Sequence, residues 1–281
     1  MNNIFNIKRF GFVLSKDFQE KWKRYILQFL TMFGIMAVAL TWFFYTNHRE
    51  VYAERDYINL WITACVLFLG FGVFFASTMM EPVREKTRRI SFLTLPASNV
   101  EKFLSRWLIV TFGYIIAFFI ALWLADAVRV AICSHYLPEH DIRFLDFGKL
   151  VNPEKENNYQ NYVFFSTCFF GFWISVYTLL QSLFVLGATF WEKASFIKTF
   201  SAITVIVLLF LFLNWEMIKI IYQDMDAFAV SFNTFLTIIF PEEITDKDVL
   251  RAGISLFTFF TLFCWVIAFF RFRESEIIKR L

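Results

Sequence analysis

Cysteine is scarce and scattered in this chain, with four in 281 residues, at positions 65, 133, 168 and 264. No two of them form a CxxC pair, so neither a zinc site nor a dithiol redox motif is expected. Packing thiols are the simpler reading. Histidine is scarcer still. His48, His135 and His140 all fall outside the long apolar runs. The sequence therefore offers no HExxH helix for metal-assisted proteolysis, and no histidine inside a span to serve as base for a serine nucleophile. There is no GxxxxGK[ST] loop to cradle nucleotide phosphates. Gly70 and Gly72 lie in the middle of an apolar run and read as close helix packing, with Ala76 four residues after Gly72. The segment His135-Tyr-Leu-Pro-Glu139-His140-Asp141 fits no common first-ligand spacing and reads as a polar loop. Charge is also thin, at 18% against about 25% in soluble domains. The net charge of +3 gives no reason to expect a nucleic-acid partner.

What fills the chain instead is apolar surface. Hydrophobic residues make up 58% of it, 41 of them phenylalanine, and the mean hydropathy is +0.56. A soluble domain of this size could not hide that much, and disordered, collagen-like and disulfide-stapled classes fail on the same composition. The fold class is all-α: a polytopic integral membrane protein. A bilayer core of about 30 Å takes roughly 20 apolar residues in helix. Six runs qualify, at 25–45, 57–80, 107–125, 162–187, 199–218 and 252–270. A seventh, 227–241, is too short to cross and suits a re-entrant segment. The chain thus divides into a leader, 1–24, and one six-helix transmembrane domain, 25–281.

Lysine and arginine give the orientation. Eighteen of the 27 fall within 1–24, 81–106, 192–198 and 271–280. That bias places these segments and both termini in the cytoplasm. The leader carries charges throughout and no leading apolar core, so a cleavable signal peptide is not expected. At 100° per residue Ile7, Phe10, Leu14 and Phe18 share one face, with Arg9, Lys16, Glu20 and Lys23 opposite. This is the pattern of an interfacial amphipathic helix.

The middle of every span is uncharged. Asp126 with Arg129, and Glu216 with Lys219, stand at i,i+3 near outer helix ends and read as mutual neutralisation. Small and hydroxyl residues line one side of several spans, among them Gly171, Ser175, Thr178 and Ser182. They serve either bundle packing or a weakly polar path. The most ordered polar stretch runs from Glu81 to Arg106. Pro82 suits a first helical turn, and Glu85 and Arg89 pair at i,i+4. Pro96 then breaks the chain. Ser98 and Glu101 form a capping box, so a helix restarts there and enters the third span.

Within that stretch, Leu93-Thr-Leu-Pro-Ala-Ser-Asn-Val-Glu-Lys-Phe-Leu-Ser-Arg106, after Glu81 and the Arg88-Arg89 pair, resembles the membrane subunits of type-2 ATP-binding-cassette (ABC) transporters. The likeness is nearest the bacterial permeases with an LP-x-S-x-x-E-K segment. It implies a cytoplasmic coupling helix within 81–106, export driven by a separate ATPase subunit that holds ATP and Mg, and a second permease copy or paralogue. No cofactor is implied in this chain, and no catalysis. It implies ATPase docking through Arg84, Glu85, Arg88, Arg89, Pro96, Ser98 and Glu101, with a second contact at Glu192 and Lys193. The second and fifth spans would line the path, with Asn59, Thr63, Ser77 and Asn214 as its polar groups. The location implied is the bacterial inner membrane. Other classes remain open on the residues alone: a non-transporting membrane scaffold that docks a cytoplasmic partner, or a secondary carrier or channel.

Overall fold

The computed structural model describes residues 5–47, 53–81, 90, 92, 94–136, 142–145, 167–191, 193–221 and 247–278. Side chains are described over most of these; for 47, 53–58, 167–170, 214–221, 247–250 and 275–278 only the backbone is. The described residues are helical almost throughout. The helices are α1 (Ile7–Asn47), α2 (Ala53–Ser77), α3 (Asn99–Tyr136), α4 (Thr167–Phe190), α5 (Ser195–Ile221) and α6 (Lys247–Ile278). All six are long and apolar enough to cross a membrane. The chain is therefore a multi-pass, all-helical membrane protein, as its apolar runs indicate. The expected re-entrant segment 227–241 lies outside the described residues.

Two boundaries differ from expectation. The leader and the first span are not separate elements, because α1 is one helix of 41 residues. At 1.5 Å per residue it is about 60 Å long, twice the hydrocarbon thickness. The reason is local: neither glycine nor proline occurs between Phe12 and Phe33, and a change from polar to apolar composition does not itself end a helix. Likewise α3 runs well past both ends of its expected span. It is α-helical over Asn99–Leu108 and Tyr114–Tyr136 and opens into a π-turn over Ile109–Gly113. Lys102, Arg106, Val110, Tyr114 and Phe118 are all buried at four-residue steps. A regular helix would carry such a stripe about 40° around per step. The residue inserted by the π-turn cancels most of that drift and keeps both halves of α3 facing the bundle.

Packing follows the same logic. Helix α3 lies along α1, α4 lies along α6, and α2 joins the two groups by touching α1, α3, α4 and α5. The junction is aromatic. Phe68 stands 4.4 Å from the Tyr177 ring centre, 4.9 Å from Phe118 and 5.5 Å from Tyr114. Gly72 makes this possible: a Cβ there would lie 2.5 Å from the Tyr177 ring and 3.2 Å from Tyr114. At Gly187 a Cβ would overlap the side chain of Thr199, which lets α4 and α5 meet closely. Gly70 has no such neighbour, so of the Gly70 and Gly72 pair only Gly72 is a close-packing glycine.

At mid-depth, one polar residue ties three helices. Gln181 on α4 is fully buried. Its Nε2 donates to Thr111 Oγ1 in the π-turn at 2.8 Å, and its Oε1 accepts from Trp265 Nε1 on α6 at 3.3 Å. At the end away from the N-terminus, Asp126 and Arg129 are also fully buried. They pair at 2.7 Å, as their spacing indicates. They also hold the segment 142–145: Arg129 Nη2 donates to the Arg143 carbonyl at 2.7 Å, and the Leu145 N–H donates to Asp126 Oδ2 at 2.8 Å. The guanidinium lies 4.9 Å from the Phe44 ring, so α1 joins the same clamp.

Candidate functional site

The start of α1 and the end of α6 meet at one rim of the bundle. Helix α1 begins there, α2 ends there, α3 begins there, the α4–α5 turn lies there, and α6 ends there. The contacts that define it are Asn6 and Arg9 against Glu101, Ser195 against Ser77, Arg271 against Phe190, and Phe272 against Phe92 and Phe103. The segment between α2 and α3, which carries most of the expected docking residues, is anchored at both of its ends to this rim.

The anchoring starts from the restart of α3. Ser98 is the N-cap, and both halves of the capping box form: Glu101 N–H donates to Ser98 Oγ at 3.2 Å, and Ser98 N–H donates to Glu101 Oε2 at 2.9 Å. This satisfies two of the four N–H groups that a helix start leaves open. The other carboxylate oxygen, Oε1, reaches out to α1. It accepts the Asn6 N–H at 2.6 Å and Arg9 Nη2 at 3.2 Å. Glu101 is 0% exposed, so one carboxylate caps α3 and receives the start of α1.

Two more ion pairs continue the seam. Arg106 on α3 pairs with Asp17 on α1, both nearly buried. Arg24 on α1 pairs with Glu81 just past the end of α2. The order of the pairs shows the geometry: residue 9 meets 101 and residue 17 meets 106, so α1 and α3 run parallel, while α2 comes down to meet residue 24. Removing a single partner of a buried pair strands the other charge, which costs about 3–5 kcal/mol. The Asp17–Arg106 pair is the one of the three buried enough for that penalty to apply.

Phe92 completes the anchor from the middle of the segment. It is buried between α3 and α6, with Phe272 at 6.3 Å. The Arg106 guanidinium and the Lys102 ammonium lie 5.5 and 6.0 Å from its ring.

The expected docking residues are placed as follows. Pro96 is exposed on the bend before α3, Ser98 is half-buried, and Lys193 is exposed in the α4–α5 turn, beside Ala194 with its positive φ of 53°. Glu101 faces inward and presents nothing to a partner; its charge is used within the chain. Arg84, Glu85, Arg88, Arg89 and Glu192 lie outside the described residues. The expected path residues do not converge. Asn59 and Ser77 stand 18 positions apart on α2, about 27 Å. Thr63 Oγ1 donates to the Asn59 carbonyl at 2.9 Å and Ser77 Oγ to the Phe74 carbonyl at 2.7 Å. Ser77 is buried where α2 meets α5, its carbonyl accepting from Ser195 Oγ at 3.1 Å. The Asn214 side chain lies outside the described ones. Of the loop histidines, His135 is exposed against Tyr136 at the end of α3, and His48 and His140 lie outside the described residues.

Sequence reasoning missed Asp17, Arg24, Arg106 and Gln181. A signal existed for the first two, since Arg9, Asp17 and Arg24 recur at steps of eight and seven and so share a helix face. Gln181 was visible as an amide inside a span, a residue type that membranes keep only where it finds a partner.

No family model, curated protein or solved structure matches this chain.

Proposed function

We propose that this chain is the membrane permease subunit of an ATP-driven exporter of the ABC type. Its two termini and the charged rim face the cytoplasm of a bacterium, in the inner membrane, and a separate ATPase subunit docks on the rim. The chain supplies the translocation path with a second copy or a paralogue, and the ATPase binds ATP and Mg. The resemblance of the segment Leu93–Arg106 motivates the reading. The observation that carries it is mechanical: the base of the 81–106 segment is fixed by the Ser98–Glu101 capping box, Phe92 and the seam onto α1.

A push on a loosely tethered loop would be absorbed by the loop. A push on this one is passed to α1, α2, α3 and α6 together, because each is attached within a few residues of it. In this reading Arg84, Glu85, Arg88, Arg89 and Pro96 form the face that the ATPase contacts, with Glu192 and Lys193 alongside. Glu101 and Ser98 hold that face in place instead of touching the partner. Asn59, Thr63 and Asn214 remain the polar groups of the path, on helices that a second copy would complete.

The test is purification of the full chain from native membranes in mild detergent, followed by mass spectrometry. A co-purifying subunit with a P-loop is expected. The double charge reversal Arg88→Glu and Arg89→Glu should release it while the permease stays folded. Retention of that subunit with full stimulated turnover refutes the docking role. A partner without a P-loop turns the reading to a membrane scaffold.

A further inference from the structure

Beside the seam lies a cavity of about 560 Å³ between α1, the end of α2 and the π-turn of α3. That is within the usual range for a small-molecule site, about 300–1,000 Å³. Its charged residues lie at one level on all three helices, with apolar residues deeper. Along α1 the walls run from Gly11, Leu14 and Phe18 at the rim end through Lys21 and Arg24 to Phe29 and Met32. Along α2 they pass from Glu81 to Phe75, and along α3 from Arg106 to Tyr114 and Ala117. The cavity thus carries a charged band and is apolar one to two turns deeper, in register with the start of the first apolar run at Tyr25.

The charge in this band does not cancel. Lys21, Arg24 and Arg106 line it, while Glu81 takes Arg24 and Asp17 takes Arg106. Lys21, half-buried, makes no ion pair among the described residues, so one positive charge is left over. Arg106 is only 7% exposed, and its Nε has no hydrogen-bond partner. A buried guanidinium N–H without an acceptor is costly unless something fills the place. One wall is the π-turn, with Ile109, Val110 and Gly113 lining the space. Such turns recur at functional sites.

We propose that this cavity binds one anionic phospholipid. Its phosphate lies at Lys21 and Arg106, and an acyl chain runs down between Phe29, Met32 and the π-turn. The inference stands apart from the ATPase reading, since it needs only the rim and the membrane. The charged band with apolar walls deeper selects an amphiphile over a soluble anion, and the surplus lysine selects an anionic head over a zwitterionic one.

The test is native mass spectrometry of the full chain taken from mixed micelles. These contain equal amounts of phosphatidylglycerol and phosphatidylethanolamine with the same acyl chains. Phosphatidylglycerol should be retained about five-fold over its competitor, the effect of one lysine at a headgroup. Lys21→Gln should bring the ratio close to one. Gly113→Leu should abolish retention of both lipids by filling the cavity; the nearest atom to a Cβ at Gly113 is 3.9 Å away, so the helix accepts the change. Equal retention of the two lipids by the unmodified chain overturns the proposal, as does an unchanged ratio in Lys21→Gln. Displacement of the lipid by inorganic phosphate alone shows an anion site without an acyl chain and overturns the lipid assignment.

Discussion

Glu101 makes two kinds of contact, and their magnitudes differ. As a capping-box residue it satisfies N–H groups that have no other partner, and such a cap is worth about 1 kcal/mol. As the acceptor for Asn6 it serves another N–H that would be stranded at a further cost of about 1–3 kcal/mol. As the partner of Arg9 it contributes less, because Arg9 is 41% exposed and pairs of that kind are worth about 0–1 kcal/mol. Glu101→Gln keeps one acceptor oxygen and turns an NH2 toward the other N–H, so it gives up the charge and one of the two bonds to Ser98 and Asn6. It should lower the stability of the chain by about 1–2 kcal/mol, and Glu101→Ala, which removes both acceptors, by about 2–4 kcal/mol. Reversible unfolding in mixed micelles with rising denaturing detergent measures both. Equal losses in the two variants would mean that the ion pair, and not the cap, holds the seam. The cap was legible because Ser98 and Glu101 are three residues apart in the chain. The other ties of the same carboxylate were not, because they depend on which face of α1 meets α3 and join residues more than 90 positions apart.

Between helices, packing and polar bonds compete to hold the bundle, and the membrane changes their order. Without water to drive apolar faces together, association rests on close fit, and hydrogen bonds average only about 0.6 kcal/mol. Gln181→Leu removes the bonds to Thr111 and Trp265, yet should cost no more than about 2 kcal/mol. Gly72→Val should cost more, about 1–3 kcal/mol for the overlap with further loss from parting α2 and α4. The Tyr177 ring cannot swing away, since Phe68 and Tyr114 flank it at 4.4 and 6.2 Å. The same unfolding assay compares them, and a larger loss in Gln181→Leu would show that polar bonds dominate this bundle. At this scale the sequence indicates the helices themselves, because each apolar run is near bilayer length. At the leader the break expected after residue 24 is absent, since no glycine or proline divides it from the span. The π-turn left no such sign, because the four-residue spacing from Lys102 to Phe118 is one of burial and not of residue type.

Over the whole molecule, the geometry and the charge distribution make separable statements about sidedness. The geometry requires Pro96 and Lys193 to lie at one end of the bundle, and Phe144, held by the Asp126–Arg129 clamp, at the other. That follows from six helices with a common rim and is independent of which way the protein inserts. The charge distribution supports the proposed direction, because 18 of 27 basic residues lie on or beside the rim segments and such segments favour the cytoplasm. Single cysteines at 96, 193 and 144, in a chain whose four native cysteines are replaced, test both with a thiol reagent that cannot cross membranes. In intact cells, position 144 should react, while 96 and 193 should react only after the membrane is opened. If 144 and 193 react together, the common rim is wrong and the bundle must be redrawn. If the pattern is reversed, the rim stands but faces outward. No cytoplasmic ATPase could then reach Arg88 or Lys193, and the anionic lipid proposed beside Lys21 would have to come from the outer leaflet.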